Sequence, residues 1–333
     1  MLDLESENFA LPSPGSSLPS SQGIDAGPGT VTFGEERDPA AAALQLISLG
    51  AIETRLLKHG EEARVLECLD RQPLQNVMLR GSICDYGLED SRHRGSFYGC
   101  FYDHALVGVA LIGHTTLLHG SQAAIIAFAN VARQSPGAET RLLLVEERSA
   151  ETFCRFLLGS DNSQRILRTT LEVMFALTSV KVEYQGATPL RLAEPHEAEE
   201  VSLANARGHL ELNGFDPSTQ DPTGFVERSR TRIQKGSVWV VRDDEGIAFK
   251  AEAARVTDEA VYLEGVLTRP DLRGTGLGSA ALIDLCQRLL KRHDAVCLLA
   301  DASSKRAMAF YERLGFEPIT RYCLVRFGPS ETK

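Results

Sequence analysis

The sequence predicts an α/β fold (α+β) in two parts, and three observations carry the prediction. Strand-like and helix-like segments alternate through 61–185 and again through 186–333. A glycine-rich hexapeptide, Arg273-Gly274-Thr275-Gly276-Leu277-Gly278, separates a strand pattern at 261–268 from a helical pattern at 279–292. Residues 1–38 are rich in Pro, Ser and Gly and poor in large apolar residues, so a disordered tail is expected ahead of the folded parts.

The elements follow in order. Residues 39–60 carry an amphipathic pattern of alanine, leucine and isoleucine behind Asp38 as a helix N-cap, which predicts a helix. The first α/β part, 61–185, reads as helices at 62–70 and 74–82, strands at 95–102 and 105–112 turning at Asp103-His104, a helix at 122–134, a strand at 142–146 and a helix at 150–158. Residues 186–192 read as a connection into the second part, 186–333. There, helices at 194–212 and 224–235 precede a hairpin of strands 237–242 and 246–254. The strand at 261–268, the glycine loop, the 279–292 helix, a strand at 295–300, a helix at 305–314 and a strand at 321–327 complete it. No repeat occurs at solenoid spacing.

Composition excludes several classes of function. The chain is 43% hydrophobic and 24% charged, as ordinary globular proteins are. A net charge of −10 argues against a general nucleic-acid or anionic-membrane surface. No apolar run approaches the ~20 residues of a membrane span. Residues 1–7 have neither a basic nor an apolar stretch, so no secretory signal is expected. Seven cysteines without Cys-x-x-Cys spacing are expected to be reduced thiols in a cytoplasmic protein. The eight histidines lack metal-ligand spacing, and no metal is expected.

The hexapeptide carries chemistry. Gly274, Gly276 and Gly278 expose backbone N–H groups, and the following helix adds its positive end. Together they predict a cradle for a phosphate-bearing ligand. A Walker loop would need Gly-Lys-Ser/Thr, whereas Ser279-Ala280 follows Gly278. A dinucleotide fingerprint would need Gly-x-Gly-x-x-Gly, and the spacing here is Gly-x-Gly-x-Gly.

Arg273-x-x-Gly276-x-Gly278, preceded by Val266-x-Thr268-x-Pro270, resembles motif A of the GNAT acyltransferase family. Ala307-x-x-x-Tyr311-x-x-x-Gly315-Phe316 resembles that family's second signature, in the same order and at a similar distance. Residues 99–110 resemble the second and third strands of a GNAT core, with no glycine loop after them, as in a degenerate GNAT-like lobe. Segments 211–217 and 249–252 are similar to a two-part GNAT subgroup whose N-terminal half is a DUF4081 domain.

The resemblance implies a mixed, splayed central sheet flanked by helices, acetyl-CoA or another acyl-CoA as co-substrate, and transfer of the acyl group to a primary amine. It implies that Arg273, Gly274, Thr275, Gly276, Leu277, Gly278 and Ser279 hold the pyrophosphate. It further implies that the backbone of Val266, Leu267 and Thr268 receives the pantetheine arm and the acyl oxygen. Ser304 stands where many members carry an Asn that binds pantetheine. Tyr311 matches the tyrosine that faces the thioester sulfur. An alkyl amine is almost wholly charged at neutral pH, so a base is needed. Glu264, sharing a strand face with Val266 and Thr268, and Glu252, two residues from Lys250, are both candidates. The acceptor is expected to be a small molecule or a protein, bound by a monomer or homodimer. A non-catalytic acyl-CoA sensor is the alternative, and thiol release with a panel of amines separates the two.

Overall fold

The computed structural model describes residues 50–135, 140–159, 164–181, 188–213, 216–219 and 221–329. The expected tail at 1–38 lies outside them, as does the 39–49 part of the expected helix.

Two halves repeat one order of elements. The first runs β1 (Ile52–Leu56), α1 (Glu62–Leu69), α2 (Val77–Tyr86), β2 (Gly95–Tyr102), β3 (Ala105–Gly113), β4 (Thr115–Gly120), α3 (Gln122–Gln134), β5 (Leu142–Glu146), α4 (Glu147–Leu158) and β6 (Gln164–Leu177). The second runs β7 (Arg191–Leu192), α5 (Ala198–Asn213), α6 (Pro222–Gln234), β8 (Val238–Asp243), β9 (Gly246–Val256), β10 (Ala260–Thr268), α7 (Leu277–Leu289), β11 (Ala295–Asp301), α8 (Lys305–Arg313) and β12 (Glu317–Pro329). In each half the fourth and fifth strands pair in parallel, β4 with β5 and β10 with β11, as a helical crossover requires. The predicted α/β class with a mixed sheet and flanking helices stands.

All twelve strands form one sheet, ordered β1-β2-β3-β4-β5-β12-β6-β11-β10-β9-β8-β7. The halves therefore exchange their last strands. β6 pairs with β11 of the second half, and β12 pairs with β5 of the first. β6 and β12 also pair with each other, from Glu317/Ala176 to Pro329/Gln164.

Three sequence expectations need correction. The helix over 39–60 is replaced at 52–56 by β1, which pairs Ile52 with Tyr102 and Leu56 with Tyr98. Ile52, Thr54 and Leu56 alternate with the charged Glu53 and Arg55, and the open edge of β2 satisfies their backbone groups, so tertiary pairing overrides helical continuation. β4 and β6 were not expected. Arg168, Thr169 and Thr170 interrupt the apolar pattern of β6, and its partners lie far away in sequence. The boundary between parts 61–185 and 186–333 follows the chain but not the sheet, because β6 is built into the second half.

The cores sit on the two faces of this sheet. Val173, Phe175 and Leu177 of β6 pack with α7 residues Ala281, Leu282 and Leu285 on one face. Met174 and Ala176 face the other, against Val77, Tyr262 and Tyr322. Among the described residues, no helix is long and apolar enough to cross a membrane.

One buried group makes stability depend on pH. His93 is 1% exposed, and its Nε2–H donates to the Gly87 carbonyl at 2.9 Å. Burial holds its imidazole pKa below the ordinary value, so it folds neutral. A depressed histidine contributes stability above about pH 6.5, which is lost as pH falls through the folded pKa. Urea denaturation at pH 7.5 and pH 5 is expected to show this loss, and His93→Asn to flatten it. An equal slope in both proteins would refute the assignment.

Candidate functional site

β9 and β10 place Glu252 opposite Glu264, and then the register shifts so that Lys250 faces Leu267. Gly265 and Val266 thus oppose a single residue, Ala251, in a β-bulge. Gly265 holds φ +58°, which favours glycine, and a Cβ there would lie 2.8 Å from Lys250 Nζ and displace the ammonium. On the other edge, the parallel ladder to β11 runs from Ala260/Ala295 to Leu263/Leu298. Beyond it the strands part, and Glu264, Gly265, Val266, Leu267 and Thr268 border a cleft of about 610 Å³.

The glycine loop closes one end of this cleft. Arg273, Gly274, Gly276, Gly278 and Ser279 line it. Gly276 caps α7 at φ +94°, and nothing lies within 4 Å of where its Cβ would be. A Cβ on Gly278 would lie 2.4 Å from Thr268 Oγ1, so the first turn of α7 packs directly on the end of β10. These positions fit a diphosphate: open N–H groups at a helix N-terminus, with Arg273 beside them. Thr275 and Leu277 do not line the cleft. Thr275 Oγ1 donates to Leu272 O at 2.8 Å, and Leu277 packs on the core, so they shape the loop rather than face a ligand. Arg273 bonds Thr268 O at 3.0 Å and Glu211 Oε2 at 2.6 Å, tying the loop to α5.

α8 supplies another wall. Ser304 caps it by accepting from Ala307 N at 3.3 Å and is among the cleft's lining residues. Tyr311, two turns on, packs its ring against Phe310, Phe316 and Phe175, with centroids at 5.2, 5.7 and 5.9 Å. Phe175 comes from the exchanged strand β6. Burial pushes the Tyr311 phenol up to about 12, so it stays protonated at neutral pH.

The two candidate bases differ. Glu252 is 2% exposed, and its Oε1 accepts from Lys250 Nζ at 2.5 Å and Asn205 Nδ2 at 3.2 Å. Burial alone would raise its carboxyl, but Lys250 and then Arg232 outweigh it and hold the pKa below the ordinary value. Glu264, directly opposite, is half-buried and lines the cleft. Burial would raise its carboxyl too, and positive charges including Arg232 and Arg255 hold it below the ordinary value, so the two carboxylates differ in access to the cleft rather than in proton affinity.

Sequence reading missed the contributions of α5 and α6. His209 lines the cleft, its ring 6.4 Å from Phe225, and burial lowers its pKa. Arg228 and Arg232, one turn apart on α6, line it too. No sequence signal separates them from ordinary exposed helix charges.

The first half has no such loop. Ser121 alone joins β4 to α3, and its side chain caps the helix by accepting from Ala124 N. One CoA per chain is expected by calorimetry, and a stoichiometry of two would refute this.

Residues 234–318 match the acetyltransferase (GNAT) domain family. A glucosamine 6-phosphate N-acetyltransferase of Trypanosoma brucei brucei is 38% identical over 55 residues, which are 16% of this chain and 36% of that protein. A GCN5-related N-acetyltransferase structure from Sphaerobacter thermophilus superposes with TM-score 0.53 at 14% identity, covering 84% of this chain and 96% of its own. A tandem GNAT protein from the clavulanic acid biosynthesis pathway gives TM-score 0.50 at 14% identity, covering 85% and 99%. The segment similar to the GNAT acetyltransferase domain contains the bulged strand, the glycine loop and Tyr311, and it lies within the second half of an exchanged two-part fold.

Proposed function

We propose that the protein is an acyl-CoA-dependent N-acyltransferase, most simply using acetyl-CoA, that acylates a primary amine by direct attack in a ternary complex. The single observation behind this is that the glycine loop, the strand splay, Glu264 and Tyr311 all border one cleft. Acyl-CoA supplies the acyl group as a thioester. Backbone N–H groups of Gly274, Gly276, Gly278 and Ser279, with Arg273, bind its pyrophosphate. The splayed edge at Val266, Leu267 and Thr268 holds the pantetheine arm and the acyl oxygen, with Ser304 beside it. Glu264 takes a proton from the acceptor ammonium, so that a neutral amine attacks the carbonyl carbon. The C–S bond then breaks, Tyr311 gives its proton to the departing sulfur, and the attacking nitrogen sheds its second proton to leave the amide and restore the phenol. Glu252, paired with Lys250, holds the bulge rather than acting as base.

The N-terminal half, which resembles the DUF4081 subgroup, would complete the fold through β6. Seven free cysteines support a cytoplasmic location.

Thiol release from acetyl-CoA with a panel of amines is the test. Tyr311→Phe is expected to lower kcat by about 10²-fold with CoA affinity kept. Glu264→Gln is expected to flatten the limb of the pH–rate profile that reports the base, and Glu252→Gln to leave its shape. CoA binding without thiol release for any amine would instead indicate a sensor.

A further inference from the structure

The cleft's charge opposes that of the whole chain. Among the described residues, its basic lining groups are Arg228, Arg232, Lys250, Arg273, Arg306 and Arg313. The acidic ones are Glu211, Glu252 and Glu264. The chain's net charge of −10 would favour a cationic acceptor. Yet charges more than about 8 Å away are largely screened at physiological ionic strength, so the lining decides.

The basic groups fall into two sets. Arg273, Arg306 and Arg313 lie on the glycine loop and α8, the elements assigned above to the donor. Arg228 and Arg232 lie on α6, with Arg232 beside the Lys250–Glu252 pair. Spacing of i, i+4 puts both on one helix face. Glu252 takes its shortest bonds from Lys250 and Asn205, while Arg232 Nη1 stands 3.6 Å from its other oxygen. Arg228 is braced by Asp221 Oδ2 at 2.9 Å and lies over the Phe225 ring at 5.6 Å. Glu252 is the cross-strand neighbour of Glu264, where side chains stand about 5 Å apart. Arg232 is thus within a small metabolite's length of the proposed base.

We propose that the acceptor is a small amine that also bears an anionic group, a carboxylate or a phosphate, bound by Arg232 and Arg228 while its amine faces Glu264. This rests on the acyltransferase reading above. Guanidinium groups bind both anions in bidentate fashion. A polyamine or a lysine-rich peptide would instead set its second charge against this pair.

The test uses matched pairs with the full chain saturated with CoA: alanine against alaninamide, glucosamine 6-phosphate against glucosamine, and spermidine as the cationic probe. Calorimetry is expected to show the anionic member of at least one pair binding about tenfold tighter, or about 1.4 kcal/mol. The favoured pair tells carboxylate from phosphate. Arg232→Gln is expected to narrow that ratio, and Arg232→Lys to restore part of it. Equal binding within both pairs, or tighter binding of spermidine, overturns the proposal. Thiol release is read separately, so a failure of acyl transfer is not confused with a failure of acceptor selectivity.

Discussion

A fragment of residues 186–333 is expected not to fold, even though it contains the whole matched domain. It lacks β6, which lies between β11 and β12. Neighbouring strands stand about 4.8 Å apart, so losing the middle one leaves β11 and β12 too distant to bond. Both then present open edges, which promote aggregation. The fragment also loses Val173, Met174, Phe175 and Leu177, all buried. At ~2 kcal/mol each, their burial is comparable with the roughly 5–15 kcal/mol that holds a domain together. A fragment of 164–333 restores β6 and is expected to recover circular dichroism, protease resistance and CoA binding. Full activity in the 186–333 fragment would overturn the strand exchange.

Gly276→Glu is expected to abolish CoA binding while the protein stays folded. The position is an exposed loop with no atom within 4 Å of a Cβ, so bulk disturbs no packing. A carboxylate there sits among the N–H groups meant for phosphate and repels it. Losing several charge-assisted hydrogen bonds is worth about 4 kcal/mol, or roughly 10³ in affinity. Gly276→Ala separates the causes, because it keeps the strain of φ +94° without the charge. Its loss is expected to be at least tenfold smaller. Unchanged CoA affinity in folded Gly276→Glu would remove the phosphate role from this loop.

Local chemistry made much of the site readable. Glycines at 274, 276 and 278, Arg273 and Tyr311 act through their own backbone or side chain, and each faces or shapes the cleft as residue type and spacing imply. Glu264 was readable as the acidic residue of the strand that leads to the loop, although the bulge at Gly265 breaks the alternation that would pair it with Val266. The roles of Glu252 and Lys250 were not. Both side chains are nearly inaccessible, and only the bulge at Gly265 and the approach of Asn205 and Arg232 make them a closed pair.

By itself, the sequence determined the α/β class, the order of most elements and the glycine loop between β10 and α7, because hydrophobic period, turn residues and glycine placement are local properties of the chain. Tertiary structure decided the rest: β1 in place of a helix, the insertion of β6, the exchange with β12, and the arginine-lined end of the cleft. Those depend on which distant strand edge satisfies a backbone and which helix face turns inward. Such contacts join residues more than a hundred positions apart, such as Cys323 with Val145 and Cys297 with Ala176, and no local pattern encodes them.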